Sequence, residues 1–379
     1  MLKEKYGLKI NAEEMALLDN KDYLVLDGRD EASFNYGHID DALYLNGCLK
    51  SLDKNRSYIL YAKDNSKAEE IVSKFLEEGY DIVYLKDGYN SWIEYNLGKD
   101  DTDIKEKSER SIIKTYHQEL LSPFLKALDK YEMLKDGDRV AVCISGGKDS
   151  MLLAKLFQEL LKFSRVKFEC VFLVMDPGYN RLNRLLIEDN ARKLGIPVKI
   201  FETKIFNAVD KIEKSPCYLC ARMRRGHLYN AARELGCNKI ALGHHYDDVI
   251  ETIFMSMMYG GQVETMMPKL KSKNFKGMEL IRPLYLVREK DIIRWRDSNR
   301  LHFIQCACHF VEDCTSLNED GSTSSKRMET KKLIEELKKT NPYIEQNIFK
   351  SVENVCLDSI IEYKKDDKRH NFLEDYDRQ

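Results

Sequence analysis

Short apolar runs alternate with longer helical segments between residues 139 and 260, and this alternation restricts the fold more than any other feature of the chain. The strand-like runs are RVAVCI, FECVFLVM, PVKIFET and KIALG, at 139–144, 168–175, 197–203 and 239–243. Apolar residues recur at helical spacing in the segments 151–161, 182–195 and 247–260. Strands that alternate with helices predict a doubly wound parallel sheet covered on both faces.

The N-terminal segment shows a smaller α/β pattern. Strand-like runs at 23–26, 59–61 and 82–85 surround a helical stretch at 66–78. Two stretches, LDGRDEASFNYGHIDDALYLN and LKDGYNSW, resemble the rhodanese family, which implies a rhodanese-like fold. The catalytic cysteine of that family should follow the strand ILY, where this chain has Ala62, Lys63 and Asp64. We therefore predict a rhodanese-like domain without its nucleophile. Cys48 could substitute as a sulfur carrier. It lies in a different segment, however, and a lone cysteine is more often a small buried apolar residue.

A charged stretch, GKDDTDIKEKSER at 98–110, follows this domain. Its lack of apolar periodicity is typical of a solvated linker or of the start of a helix. We predict a rhodanese-like domain at 1–98, a linker at 99–110, a second α/β domain at 111–363 and a polar tail at 364–379. The region 326–363 reads as helices with core positions at Leu333, Leu337, Ile344, Ile348, Val352 and Val355.

Composition narrows the class of protein. Hydrophobic residues make up 43% of the chain and charged residues 33%, as in ordinary soluble proteins, and neither a membrane-spanning run nor a secretory signal is visible. These features predict a cytoplasmic protein with no membrane partner. The net charge of −2 provides no overall attraction to nucleic acid, so an RNA-binding surface would have to be a local basic patch. The ten cysteines indicate metal ligands, catalytic thiols or core packing rather than disulfides.

A glycine-rich turn joins the strand at 139–144 to the following helix. It consists of Ser145, Gly146, Gly147, Lys148, Asp149 and Ser150. Glycines let backbone amides approach an anion at the positive end of a helix, so the turn predicts a phosphate site. The spacing is not that of the P-loop of NTPases, and the six residues resemble the PP-loop motif SGGKDS. This resemblance implies that ATP binds with Mg²⁺, adenylates a substrate and releases pyrophosphate.

Individual roles follow from the PP-loop resemblance. We expect Lys148 and the amides of the two glycines to neutralise charge on the phosphates, and Asp149 to position the magnesium ion. Ser150 completes the expected catalytic set. Asp176 ends a strand at the carboxyl edge of the sheet, where ligands of open α/β folds bind, so it is either a nucleotide contact or a helix cap.

A CxxC pair, Cys217 and Cys220, can bring two thiolates to one metal, and further cysteines follow at Cys306, Cys308 and Cys314. Three thiolates suit a four-iron four-sulfur cluster that leaves one iron free for a non-protein ligand. Four thiolates would instead complete a closed zinc site. The spacing alone leaves both alternatives open.

The sequences around these cysteines, SPCYLCARMRRGHLYNAARELGCNKIALGHHYDD, YGGQVETMMPKL and IRPLYLVREKDI, resemble the tRNA 2-thiocytidine synthetase family in order and spacing over residues 105–360. The resemblance implies a [4Fe-4S] cluster held by Cys217, Cys220 and Cys306, with Zn²⁺ as the alternative metal. The family usually shows CxxC at the third position, and this chain has CAC, so Cys308 is a rival for Cys306.

The same resemblance extends to GHHYDD at 243–248, a pattern that recurs beside the PP-loop in that family. It implies that Gly243, His244 and Asp248 belong to the nucleotide site. Three arginines after the CxxC pair are either contacts to the tRNA backbone or a solvated helix face: Arg222, Arg224 and Arg225.

These features and the family resemblance imply an ATP-dependent tRNA sulfurtransferase that adenylates a base of tRNA. The expected position is the C2 carbonyl oxygen of a cytidine, which sulfur then replaces with the help of the cluster. The expected partners are tRNA and a sulfur donor such as a cysteine desulfurase, and a homodimer is one expectation for the assembly. The sequence leaves open the modification of another base or a small molecule, a lysidine-type amination, and a non-catalytic RNA- or redox-sensing protein.

Overall fold

The computed structural model describes residues 1–99, 103–209, 216–304, 326–366, 368–374 and 376, apart from the side chains of residues 207 and 216–218. The chain divides into two units. The first comprises residues 1–245 together with the stretch 268–304, and the second comprises residues 246–267 together with the described C-terminal residues. Among the described residues, no helix is at once long enough and apolar enough to cross a membrane.

The first unit begins with an α/β domain on a five-stranded parallel sheet. Its strands are β1 (Lys9–Ile10), β2 (Tyr23–Asp27), β3 (Leu43–Tyr44), β4 (Ser57–Tyr61) and β5 (Asp81–Leu85), in the order β1-β5-β4-β2-β3. Its helices are α1 (Leu2–Tyr6), α2 (Ala12–Ala16), α3 (Glu31–Tyr36), α4 (Leu45–Cys48), α5 (Asn65–Glu77) and α6 (Gly88–Asn96). The predicted strands at 23–26, 59–61 and 82–85 are confirmed. Asp30 and Asp64 begin α3 and α5 as N-terminal caps, because each carboxylate accepts a backbone amide of the first turn.

A six-stranded sheet forms the centre of the rest of the first unit. Its strands are β6 (Arg139–Ile144), β7 (Glu169–Asp176), β8 (Val198–Glu202), β9 (Lys239–Ala241), β10 (Lys269–Lys271) and β11 (Glu279–Ile281). Their order is β10-β11-β9-β6-β7-β8, and every neighbouring pair in this sheet is parallel except that of β10 with β11. The predicted doubly wound sheet is confirmed. The chain leaves β6 toward β7 and β8 and later returns to β9 on the other side of β6, so a ligand-binding crevice is expected at the carboxyl ends of β6 and β9.

Helices cover this sheet, and one of them is almost wholly enclosed. They are α7 (Ile104–Arg110), α8 (Ser122–Lys130), α9 (Lys148–Phe163), α10 (Arg181–Lys193), α11 (Ile205–Val209), α12 (Pro216–Glu234) and α14 (Glu289–Ser298). Helix α13 (Tyr246–Gly260) belongs to the second unit. Two π-helical turns, Ser111–Thr115 and His117–Leu121, connect α7 with α8. The enclosed helix is α9, whose residues from Met151 to Phe157 are all inaccessible to solvent. The helix that follows the glycine-rich turn is therefore fixed on every side.

Part of the stretch predicted as a linker is helical. Helix α7 occupies residues 104–110, and its residues Ile104 and Ser108 are buried. The carboxylate of Glu109 accepts hydrogen bonds from the ammonium groups of Lys155 (2.8 Å) and Lys162 (3.0 Å) on α9. The charges that hide any periodicity in the sequence are thus used in ion pairs with a distant helix.

The second unit contains α13, α15 (Lys326–Thr340), α16 (Ile344–Ser351) and a hairpin of β12 (Glu362–Lys365) and β13 (Lys368–Asn371). Beyond residue 351 the prediction of helices up to residue 363 is wrong, except for one 3₁₀ turn, Leu357–Ser359. The hairpin occupies part of the stretch predicted as a polar tail. Its strands are joined by stacking of Tyr363 on His370 (5.0 Å between ring centroids) and by an ion pair between Arg369 and Glu362. Such cross-strand pairs leave no apolar periodicity in the sequence.

The predicted core positions of this C-terminal part are only partly right. Ile348 is buried, whereas Leu333 and Val355 are 38% and 50% exposed. In α15 the buried stripe runs through Thr330 and Ile334, one residue away from the predicted phase. The polar Thr330 on the buried face explains the error, because an apolar pattern does not count it.

Candidate active site

The glycine-rich turn lies between the carboxyl end of β6 and the start of α9, at the crevice that the strand order predicts. Gly146 has a φ of +87°, and Gly147 is the N-terminal cap of α9. The hydroxyl of Ser150 accepts a hydrogen bond from the amide of Ser145 (3.1 Å) and donates one to the carbonyl of Gly147 (2.9 Å). The turn is therefore closed by its own hydroxyl, and the first amides of α9, which have no intrahelical acceptors, are suited to an anion.

Lys148 is enclosed at the start of α9, with 4% of its surface exposed. Its ammonium lies 3.3 Å from a carboxylate oxygen of Asp149 and 3.1 Å from Oε1 of Glu289. Burial acts to lower the pKa of Lys148, but the two carboxylates outweigh this effect and raise the pKa above its ordinary value. Lys148 therefore keeps its positive charge in a place with little solvent, where a charge acts strongly on a nearby phosphate.

Asp149 and the loop after β9 form a second wall of the crevice, beside the glycine-rich turn. Oδ1 of Asp149 is shielded from solvent and lies 3.3 Å from the ammonium of Lys148, but no hydrogen bond from the described part of the chain reaches it. Nε2 of His245 lies 3.9 Å from the same oxygen. A Cβ atom at Gly243 would lie 3.1 Å from the amide nitrogen of Ser150, which is tighter than an ordinary Cβ contact, so the backbone of this loop lies close against the turn. His244, the predicted site residue between Gly243 and His245, is half-buried.

Asp176 lies at the carboxyl end of β7, as predicted, but neither as a free carboxylate nor as a helix cap. It accepts hydrogen bonds from the amides of Gly178 (2.8 Å) and Tyr179 (2.7 Å) and pairs with Arg184 (2.7 Å). Burial would raise the pKa of Asp176, but these partners outweigh it and hold the pKa below its ordinary value. The cap of α10 is Asn180. The carboxylate organises a turn whose Tyr179 hydroxyl donates to the carbonyl of Ser145 (3.2 Å).

The predicted metal ligands are described only in part. Cys217 and Cys220 belong to the first turns of α12, and Cys220 is 7% exposed in an apolar cluster with Met175 and Phe206. Met175 is next to the last residue of β7, so Cys220 lies at the same edge of the sheet as the glycine-rich turn. The side chain of Cys217, and Cys306, Cys308 and Cys314 altogether, lie outside the described residues. Within the described residues no group of three His, Cys, Asp or Glu side chains is arranged to hold a metal ion.

The structure also describes Asp248 and the arginines after the CxxC pair. Asp248 belongs to the second unit, in the first turn of α13, where its carboxylate is 3.3 Å from the guanidinium of Arg327. Among the arginines after the CxxC pair, Arg222 and Arg225 are exposed on α12 and Arg224 is half-buried.

In the N-terminal domain, no cysteine follows β4. Ala62 is buried there, and Asp64 is the cap of α5. Cys48 is half-buried, and burial raises the pKa of its thiol, which donates to the carbonyl of Leu45 (3.5 Å). Both observations agree with a domain that has no thiolate nucleophile among its described residues.

Three residues at this site were missed by sequence reasoning. Glu289 lies in the stretch IRPLYLVREKDI, which carried part of the family resemblance but suggested no role for its acid. His245 is the second histidine of GHHYDD, a motif from which only Gly243, His244 and Asp248 were assigned to the nucleotide site. Tyr36 comes from the N-terminal domain, and its ring centroid lies 5.4 Å from the ammonium of Lys148. No signal in the sequence connects two segments so far apart.

Comparisons with known proteins agree with this architecture. The family model described as a PP-loop domain matches residues 110–314, and the model described as a rhodanese-like domain matches residues 11–95. A solved structure of the U34-tRNA thiolase NcsA from Methanococcus maripaludis, with its [4Fe-4S] cluster, superposes with a TM-score of 0.50. It is 23% identical and covers 66% of this chain and 81% of its own, a level of identity that supports the fold alone.

Curated relatives are more similar in sequence. A tRNA-cytidine(32) 2-sulfurtransferase from Alkalilimnicola ehrlichii is 36% identical over 246 residues, which cover 64% of this chain and 75% of the relative. The protein of the same name from Geotalea daltonii is 35% identical over 234 residues, covering 61% of this chain and 88% of the relative. The chain therefore belongs to the PP-loop proteins and, among them, to the tRNA-cytidine(32) 2-sulfurtransferase family.

Proposed function

We propose that this chain is an ATP-dependent tRNA sulfurtransferase that adenylates the C2 oxygen of cytidine 32 and replaces it by sulfur. The observation that carries the proposal is the enclosed, charged Lys148 in a PP-loop turn of a chain from the 2-sulfurtransferase family. A buried cation at a helix start suits a polyphosphate better than a neutral ligand.

The residues of the turn suit the first step of such a reaction. The C2 carbonyl oxygen attacks the α-phosphorus of ATP, and pyrophosphate leaves. Lys148 and the amides at the start of α9 stabilise the charge on the departing pyrophosphate. Sulfide then adds to C2, and AMP departs with the original oxygen. Ser150 acts by holding the shape of the turn, since its hydroxyl bridges the two ends.

Asp149 is the proposed magnesium ligand. Its Oδ1 atom is shielded and receives no hydrogen bond from the described residues, which fits a hard cation that prefers carboxylate oxygen. A magnesium ion held there would share the phosphate charge with Lys148. We assign Gly243 and His244 to the adjoining wall of the nucleotide site. Asp176 is proposed to support this site through Tyr179, and Asp248 is assigned to it by family resemblance.

Cys217, Cys220 and one of Cys306 and Cys308 are the proposed ligands of a [4Fe-4S] cluster, the group with which the related U34-tRNA thiolase is described. The fit rests on Cys220, a buried thiol at the carboxyl edge of the sheet. A bound cluster supplies a place where sulfide is held for transfer. The apolar residues around Cys220 help to exclude water, which would otherwise hydrolyse the activated base.

The substrate and partners follow from the same assignment. A tRNA must present its base from a single-stranded loop, because the reactive edge is inaccessible in a paired helix. The exposed Arg222 and Arg225 are proposed contacts to its phosphates. We further propose a cysteine desulfurase as the sulfur donor and a homodimer as the assembly. We also propose that the chain divides into a rhodanese-like domain at 1–98, a linker at 99–110, a catalytic domain at 111–363 and a tail at 364–379.

The experiment combines metal analysis with turnover. Anaerobically purified protein should contain about four irons and as many acid-labile sulfides, and should form 2-thiocytidine in tRNA at the expense of ATP. Changing Cys217, Cys220 and one of Cys306 and Cys308 to Ala should remove the iron. Cys356→Ala, at an exposed position, is the control and should leave it in place. Stoichiometric zinc without iron would refute the cluster, and ATP turnover without any need for tRNA would refute the substrate.

A further inference from the structure

The rhodanese-like domain is tied to the PP-loop part of the same unit by a buried arginine. The guanidinium of Arg296, on α14, is 2% exposed and donates hydrogen bonds to the backbone carbonyls of Asn35 (3.0 Å) and Tyr36. These two carbonyls belong to the last turn of α3, so the arginine satisfies groups that a helix end leaves without partners. A buried, multiply bonded arginine holds α3 in one place relative to α14.

A second contact lies at His302, in the segment that leads to Ile304. The ring of His302 packs edge-on against Trp92 (4.6 Å between centroids). Its Nδ1 lies 3.1 Å from the hydroxyl of Tyr89, and its Nε2 lies 3.3 Å from Oδ1 of Asp40. The segment that precedes the downstream cysteines therefore contacts α6 and the connection between α3 and β3.

Between these contacts, Tyr36 reaches the nucleotide site itself. Its hydroxyl donates a hydrogen bond of 2.6 Å to the carbonyl of Ile304 and would lie 3.3 Å from a Cβ atom at Gly147. The face of its ring lies toward the ammonium of Lys148, within the range of a cation–π contact. One side chain from the N-terminal domain thus contacts the turn, its lysine and the segment that leads to Cys306.

We propose that Tyr36 is a positioning residue of the nucleotide site, which gives the rhodanese-like domain a task that needs no nucleophile. Its hydroxyl fixes the segment ending at Ile304 against the turn, and its ring confines the ammonium of Lys148. This inference rests on the proposed function, because it concerns the site assigned to ATP. It differs from sulfur carriage, the chemistry that a rhodanese fold would otherwise suggest, since Ala62 and its neighbours provide no thiol.

The test compares full-length variants by their affinity for ATP and by their kinetics. Tyr36→Phe removes the hydroxyl and keeps the ring, whereas Tyr36→Ala removes both. Tyr58→Phe is the matched control, because the hydroxyl of Tyr58 both donates to and accepts from the backbone of Asp53 inside the same domain. Loss of one hydrogen bond predicts a roughly three- to ten-fold weaker binding of ATP by Tyr36→Phe, with a matching rise in the KM for ATP and little change in kcat. Tyr36→Ala should bind more weakly still.

Three outcomes would overturn the proposal. Equal ATP affinity in the parent and in Tyr36→Phe would show that the hydroxyl does no positioning. Tighter binding would show that it occupies space needed by the phosphates. An equal loss in Tyr36→Phe and Tyr58→Phe would show a general effect of domain stability. A parent protein that binds no ATP would instead refute the proposed function, so the two failures are distinguishable.

Discussion

Replacing Gly146 by Ala tests whether the phosphate turn depends on a residue without a side chain. Gly146 has a φ of +87°, a region that residues with a Cβ atom rarely adopt. The added Cβ would lie 2.5 Å from Cγ1 of Ile187 and 2.8 Å from Cδ1 of Ile304. Both distances are below van der Waals contact, so the change adds crowding to the backbone strain.

The two effects have different sizes and can be separated. The backbone strain of alanine at positive φ costs about 1–2 kcal/mol, and overpacking a dense interior costs about 1–3 kcal/mol more. Gly137 is the matched control, because its φ is +82° and a Cβ there meets nothing within 4 Å. Gly137→Ala should therefore show the strain alone, and the difference between the two variants should equal the crowding.

Urea unfolding of the parent and both variants measures this difference. With comparable m-values, Gly146→Ala should unfold at a urea concentration roughly 0.5–1 M lower than Gly137→Ala. It should also bind ATP at least about tenfold more weakly, because relief of the crowding moves the amides that face the phosphates. Equal midpoints for the two variants would refute the packing argument, and unchanged ATP affinity would refute the assignment of the turn.

Three further perturbations test other parts of the structure. Lys148→Ala should lower kcat for tRNA-dependent pyrophosphate release by roughly 10²–10³, and a change below about threefold would contradict its role. Glu109→Gln leaves the enclosed Lys155 without its carboxylate and should destabilise the fold by about 3 kcal/mol in urea unfolding. Burial acts to raise the pKa of Glu109, but its lysine partners outweigh this effect and lower the pKa below its ordinary value. The parent should therefore lose this stability as the pH falls from about 4.3 through the pKa of Glu109 in the folded state. The Gln variant should lack this pH-dependent component. Cys48 should react with iodoacetamide at pH 8 more slowly than the exposed Cys356, because burial shields its thiol and raises its pKa; equal rates would contradict this.

Much of the fold could be predicted because its signals are local. A buried parallel strand is a short apolar run, and the turn after β6 is a contiguous motif whose glycines reflect local backbone needs. Predictions failed where structure depends on pairing between segments of polar residues. The hairpin of β12 and β13 is held by a stacked ring pair and an ion pair, and α7 by carboxylate contacts to α9, neither of which produces a hydrophobic period.

The site divides along the same line. Residues 145–150 could be identified from their own sequence, and the loop containing Gly243 from the family resemblance. Glu289, which lies 3.1 Å from the ammonium of Lys148, could not be given a role, because an acid before a helical segment is common. Asp176 was expected to face a ligand, and instead its carboxylate is used by two backbone amides and Arg184.

By itself, the sequence determined that this chain has two α/β parts, that the second contains a phosphate-binding turn at a strand end, and that the first lacks its nucleophile. Each of these depends on residues that are neighbours along the chain or repeat with a regular period. Only the tertiary structure decided that Lys148 is enclosed between two carboxylates. It also decided that the rhodanese-like domain contacts the turn through Tyr36 and contacts α14 through Arg296. Such contacts depend on how packed elements bring distant segments within a few ångströms, and no local pattern encodes that distance.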